Sequence, residues 1–136
     1  MRCALSSLVA LLTLAIPLAG QATPGHVYWV GFYQALPGKA AAYNQALTEI
    51  VDPVLDELVR RKQMVSHVQL AQYAGAGENT NLVILEFSNW AALDTYDARL
   101  DEAARAVLHK PFSEATAGFV ELRRLVRLEI YRPASQ

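Results

Sequence analysis

The sequence predicts an α+β domain in which a four-stranded antiparallel sheet is covered on one face by helices. From Leu82 to Phe87 an apolar strand runs into the polar pair Ser88-Asn89, and a helical pattern starts at Trp90. A similar strand and helix precede this unit, and an alternating stretch from Leu125 to Tyr131 follows it. Strand, helix, strand, strand, helices, strand is the order these patterns imply.

Residues 1–22 stand outside that unit. Arg2 precedes an apolar stretch from Ala4 to Ala19, and Gly20-Gln21-Ala22 forms a small-residue end. This is the pattern of a cleaved secretory signal peptide. The stretch is short for a membrane span and contains Ser6, Ser7, Thr13 and Pro17, so no stable membrane anchor is expected after cleavage. Cleavage after Ala22 leaves 114 residues, 23–136, the size of a single domain in the periplasm or outside the cell. Cys3 is the only cysteine, so the mature chain is expected to carry no disulfide and no cysteine metal ligand.

Each element follows from local pattern. Val27 to Leu36 is dense in residues that suit a pleated surface, and Pro37-Gly38 ends it. Tyr43, Leu47, Ile50, Val54 and Leu58 recur at helical spacing through Arg61. Pro53 interrupts that helix, which predicts a kink or two abutting helices with Asp52 capping the second. Val65 to Ala74 alternates as strand two, Gly75 to Asn79 is a turn, and Leu82 to Phe87 returns as an antiparallel partner. Ser88 or Asn89 caps the next helix, which carries Trp90, Leu93, Tyr96 and Leu100, and a second piece runs from Asp101 to Leu108. Pro111 breaks the chain before a third helix, Phe112 to about Leu122, and the last strand.

Composition excludes several function classes. Without Arg2 the chain has 11 basic and 13 acidic residues, a charge of about −2, with the two signs interspersed. Nothing in that pattern attracts nucleic acid or anionic lipid. Arg60-Arg61-Lys62 and Arg123-Arg124 are the basic clusters, each at an expected helix end, where the helix dipole accounts for them. His26, His67 and His109 have no metal-ligand spacing, so no metal site is expected. No nucleophile elbow or phosphate loop is present either.

Val83 to Tyr96, together with Arg127-Leu128-Glu129-Ile130-Tyr131-Arg132-Pro133, resembles the ferredoxin-like unit of the dimeric α/β-barrel superfamily. Within it, the likeness is to antibiotic biosynthesis monooxygenase-like proteins, and it covers nearly the whole mature chain in pattern. The resemblance implies a homodimer whose two sheets pack face to face into a barrel, with a pocket between sheet and helices in each subunit. Physical reasoning agrees: Trp29, Tyr33, Val65, Leu82, Ile84 and Tyr131, read as the uncovered face, are too apolar to sit together in water. The superfamily includes cofactor-independent oxygenases, haem-degrading enzymes and isomerases, so the fold alone transfers little chemistry.

His67, Glu86 and Tyr73 are the candidate catalytic residues. Val65, His67, Gln69 and Tyr73 share one face of strand two, and Glu86 is expected on the same side as His67 if Val83, Leu85 and Phe87 face the helices. A base held by a carboxylate, beside a phenol, takes a proton from a phenol or an activated carbon acid. The same polar groups could instead form a hydrogen-bonded layer at the dimer interface. Trp29, Tyr33, Trp90 and Tyr96, with Arg127, are the candidate ligand contacts, although an aromatic stripe also builds an ordinary core. His109 is expected to cap a helix, and His26, a few residues into the mature chain, to be a mobile or edge residue. The haem-degrading pattern is poorly matched, because Val27 to Leu36 holds no asparagine and Trp90 lies at the helix start.

The expected function is therefore an exported protein that binds a small apolar or aromatic molecule and acts on it as a cofactor-independent monooxygenase. The alternatives are a non-catalytic ligand-binding or stress-associated protein, and a haem-binding or haem-degrading protein.

Overall fold

A computed structural model describes residues 25–134. The expected signal segment 1–22 and Cys3 lie outside the described residues.

β1 (Val27–Ala35) leads through Pro37-Gly38 into a long helical stretch. That stretch is α1 (Ala40–Ala46), a π turn (Leu47–Val51) and α2 (Asp52–Arg60). β2 (Ser66–Ala71) and β3 (Asn81–Phe87) follow, then α3 (Trp90–Asp94) and α4 (Tyr96–Leu108). α5 (Phe112–Ala115), a 3₁₀ turn (Ala117–Glu121) and β4 (Arg123–Tyr131) complete the order. The sheet order is β2-β3-β1-β4 with every neighbouring pair antiparallel, which is the ferredoxin-like arrangement.

Asp52 does not cap a second helix at Pro53; a π turn joins the two helical pieces, and Val51 stands at the start of the second. Asp52 has helical dihedrals, φ −54° and ψ −48°, and its N–H donates to the Leu47 carbonyl five residues back. The widened turn accommodates a proline ring that a regular helix would force against the preceding turn. It also does something for the interior. Residues four apart overshoot one 3.6-residue turn by about 40° each time. The wide turn offsets that drift and keeps Tyr43, Leu47, Val51 and Leu55 along one wall.

The core lies between the sheet and the helices. Tyr43, Leu55, Leu58, Leu85 and Phe87 are its large, fully buried members. Each contributes about 1.5–3 kcal/mol of apolar burial. α4 packs against α2, and its Ala103 and Ala104 are completely buried. Asn89 caps α3, accepting the Ala92 N–H at 2.9 Å. His109 ends α4 through its backbone, in the left-handed conformation at φ 59°.

Register assigns the sheet faces. Trp29 pairs with Leu85 and Tyr33 with Asn81, so both aromatics point toward the helices rather than to the uncovered face, and Val65 precedes β2 altogether. Leu82, Ile84 and Tyr131 do lie on the uncovered face. Successive cross-sheet rows there are Ser66-Glu86-Tyr28-Tyr131, Val68-Ile84-Val30-Glu129 and Leu70-Leu82-Phe32-Arg127. The face is thus apolar across three strands and polar along β4 and one end, and Val68 and Leu70 stay nearly half exposed.

Candidate functional site

A cavity of about 180 Å³ opens between the sheet and the helices. Its floor is β1 and β3, which contribute Trp29, Tyr33, Val83 and Leu85. Gly31 makes that floor possible, because a Cβ there would stand 2.7 Å from the Tyr33 ring and 2.8 Å from the Trp29 ring. One wall is the row Tyr43, Leu47, Val51 and Leu55 aligned by the π turn. Tyr96 and Leu100 from α4 form another, and Phe112, Thr116 and Phe119 close the space near the start of β4. The aromatics meet edge to face: Tyr33 and Tyr43 at 6.5 Å, Tyr43 and Phe119 at 5.9 Å, Phe87 and Tyr96 at 5.3 Å between centroids.

Among the described residues, Arg123 is the one charged residue in this lining. Its guanidinium lies 3.9 Å over the Tyr33 ring, with the Tyr43 and Phe119 rings at 5.9 and 5.7 Å. Its Nε is buried and has no hydrogen-bond partner among the described residues. The phenols of the cavity resist ionisation. Burial raises Tyr43 to about 12 even though Arg123 pulls the other way. Burial raises Tyr33 against the same pull, and raises Tyr96 with further help from Tyr33 and Asp97. All three are neutral at neutral pH and can donate hydrogen bonds.

Of the five expected ligand contacts, Trp29, Tyr33 and Tyr96 line the cavity. Trp90 does not: it is 54% exposed at the start of α3. Arg127 lies on the uncovered face, stacked 3.7 Å over the Phe32 ring and donating to Glu129 at 2.8 Å. Arg123 was hidden by its neighbour Arg124, since the pair reads as a helix end whereas β4 already begins at Arg123.

The expected catalytic group is dispersed. His67 pairs with Leu85 and Ser66 with Glu86, so His67 and Glu86 stand on opposite faces of the sheet. His67 faces α2, with Nε2 2.9 Å from Asp56 Oδ1 and Nδ1 4.0 Å from Asp52, whose carboxylate also accepts from Gln69. Tyr73 lies beyond the end of β2, fully exposed. None of these three lines the aromatic cavity.

Glu86 has other partners. Ser66 Oγ donates to it at 2.5 Å, Tyr28 Oη at 2.9 Å, and His26 Nδ1 stands 2.8 Å away. Burial pushes its pKa up, but the hydrogen bonds from Ser66, His26 and Tyr28 outweigh that and hold the carboxyl below its ordinary range. His26 is therefore held in a polar cluster rather than left loose at an edge. Among the described residues no group of acidic, histidine or cysteine side chains could hold a metal ion.

No protein-family model matches the chain, and no curated protein matches it. Solved structures do. SnoaB, a cofactor-independent oxygenase from Streptomyces nogalater, is 14% identical with a TM-score of 0.52, over 82% of this chain and 96% of that one. HapK from Hahella chejuensis is 9% identical with a TM-score of 0.54, over 81% and 94%. A dimeric protein of unknown function and ferredoxin-like fold from Bacteroides fragilis is 12% identical with a TM-score of 0.52, over 80% and 97%. At these identities the likeness is one of fold, and it is the ferredoxin-like fold that residues 83–96 and 127–133 resemble.

Proposed function

We propose that this chain works as an exported homodimer that binds a small planar aromatic molecule between its sheet and helices and oxidises it as a cofactor-independent monooxygenase. The observation that carries the reading is the aromatic cavity with one buried, unpartnered guanidinium donor. That SnoaB is a cofactor-independent oxygenase of the same fold supports the reaction class. In such a reaction the substrate supplies all the electrons. A phenol oxidised to a quinone gains one oxygen atom from O₂ at a ring carbon, and the other leaves as water with two hydrogens of the substrate.

The uncovered sheet face supports the dimer. An apolar centre of Val68, Leu70, Leu82 and Ile84, bordered by Arg127 and Glu129 of opposite charge, suits a two-fold contact with its own copy. The Bacteroides fragilis protein of this fold is dimeric.

A non-catalytic ligand-binding role is favoured by one specific observation: no carboxylate or imidazole lines the cavity among the described residues. Haem has less in its favour. His67 is turned to α2 and His109 is exposed past α4, so neither offers the cavity an axial ligand.

Oxygen uptake with one-ring phenols acidic enough to be ionised at neutral pH, in the presence of a chelator, tests the reaction. Uptake by the wild type that disappears in Leu47→Trp, which fills the cavity, is the expected result. Binding without uptake would overturn the monooxygenase reading and leave the ligand-binding role.

A further inference from the structure

We propose that the cavity takes a one-ring aromatic whose acidic oxygen is already ionised in neutral water, and that Arg123 is the residue that selects it. This rests on the ligand-binding reading above and adds the chemical class.

The Arg123 guanidinium carbon lies 3.9 Å over the Tyr33 ring, a contact that satisfies none of its N–H donors. One of them, Nε, is buried without an acceptor among the described residues. Buried polar groups are nearly always hydrogen-bonded, and a guanidinium is best satisfied by an anionic oxygen.

The rest of the lining decides where the ligand's proton goes. Among the described residues no carboxylate or imidazole is there to accept it, and Tyr33, Tyr43 and Tyr96 are neutral donors. The ligand therefore gives its proton to water before it enters, and Arg123 holds the resulting anion. A neutral phenol that needs a protein base is the wrong class for this cavity.

The approach is consistent with an anion. Thr116, Phe119 and Arg123 also line an outer cleft of about 460 Å³, where Arg124 joins them. Two guanidinium-bearing residues thus flank the boundary between cleft and cavity, which steers negative charge inward. Size limits the ligand further. The cavity of about 180 Å³ is close to the roughly 150 Å³ engineered cavity that admits benzene, so one ring fits.

Calorimetric titration of the mature protein with benzoate and with benzamide, near-identical in shape and different in charge, tests the inference. In the wild type benzoate should bind about tenfold or more tightly than benzamide. In Arg123→Gln that ratio should fall to about one. As a check that needs no variant, the Arg123 Nε–H resonance of the wild type should move with benzoate and not with benzamide. Equal binding of the two by the wild type, a preference that survives in Arg123→Gln, or an unmoved Arg123 resonance would overturn the selection while leaving the cavity a ligand site. Failure of the wild type to bind either compound at millimolar concentration would overturn both this inference and the reading it rests on.

Discussion

At the scale of single residues, two positions each hold a local arrangement together, one in the cavity floor and one on the opposite face of the sheet. Gly31 is one: its missing side chain leaves room for the rings of Trp29 and Tyr33, so Gly31→Ala should cost about 1–3 kcal/mol through overpacking. The denaturant midpoint should fall, and ligand affinity should fall with it. Glu86 is the other, on the opposite face. Its pKa is depressed, so the stability it contributes is present above the usual carboxylate range and is lost as pH falls through the lowered value. Glu86→Gln should cost about 1–2 kcal/mol at neutral pH, with the gap to the wild type closing in acid. Denaturant curves across that pH range would check both the size and the sign.

At single residues the chemistry of a side chain is legible in the sequence, and the strand register that sets its facing is not. Trp29, Tyr33 and Tyr96, named for their aromatic character, line the cavity, whereas Trp90, named on the same ground, does not. The His67–Glu86 pairing could not be judged, because a one-residue shift between β2 and β3 reverses every side chain. Connection 72–80 sets that shift, and its polar, glycine-containing sequence carries no periodic signal. Arg123 was overlooked because its meaning depends on β4 beginning two residues before the alternation becomes visible.

Among the elements, the helix with Pro53 and the end of α4 are the informative cases. The apolar spacing through Arg61 is legible as one buried face, yet a π turn is not, because it changes hydrogen bonding without changing the four-residue recurrence of Tyr43, Leu47, Val51 and Leu55. β1 gave its existence but not its facing, since Val27 to Ala35 is apolar on both sides. At the end of α4, His109 adopts a left-handed backbone that glycine accepts at lower cost. His109→Gly should therefore stabilise the fold by about 0.5–1 kcal/mol and leave ligand binding unchanged. A thermal melt paired with a ligand titration would read both, and a loss of binding would return His109 to the site.

For the whole molecule, the strand order and the helical layer were legible because period-two and helical patterns alternate cleanly along the chain. The proposed dimer rests on the face those patterns leave uncovered. Placing a charge at its centre with Ile84→Arg should convert a dimer to a folded monomer, as sedimentation and circular dichroism would report together. A wild type that sediments as a monomer would remove the barrel from the account.

The aromatic cavity is the claim on which the functional reading stands, and the chain's two tryptophans provide a direct probe of it. Trp29 lies in the cavity floor, whereas Trp90 is 54% exposed at the start of α3. Their indole N–H resonances, assigned with Trp90→Phe, can be followed while benzoate is added to the labelled protein. A saturable shift of the Trp29 resonance with Trp90 unmoved is the predicted result; a Trp29 resonance that stays in place while benzoate reaches millimolar concentration would contradict it.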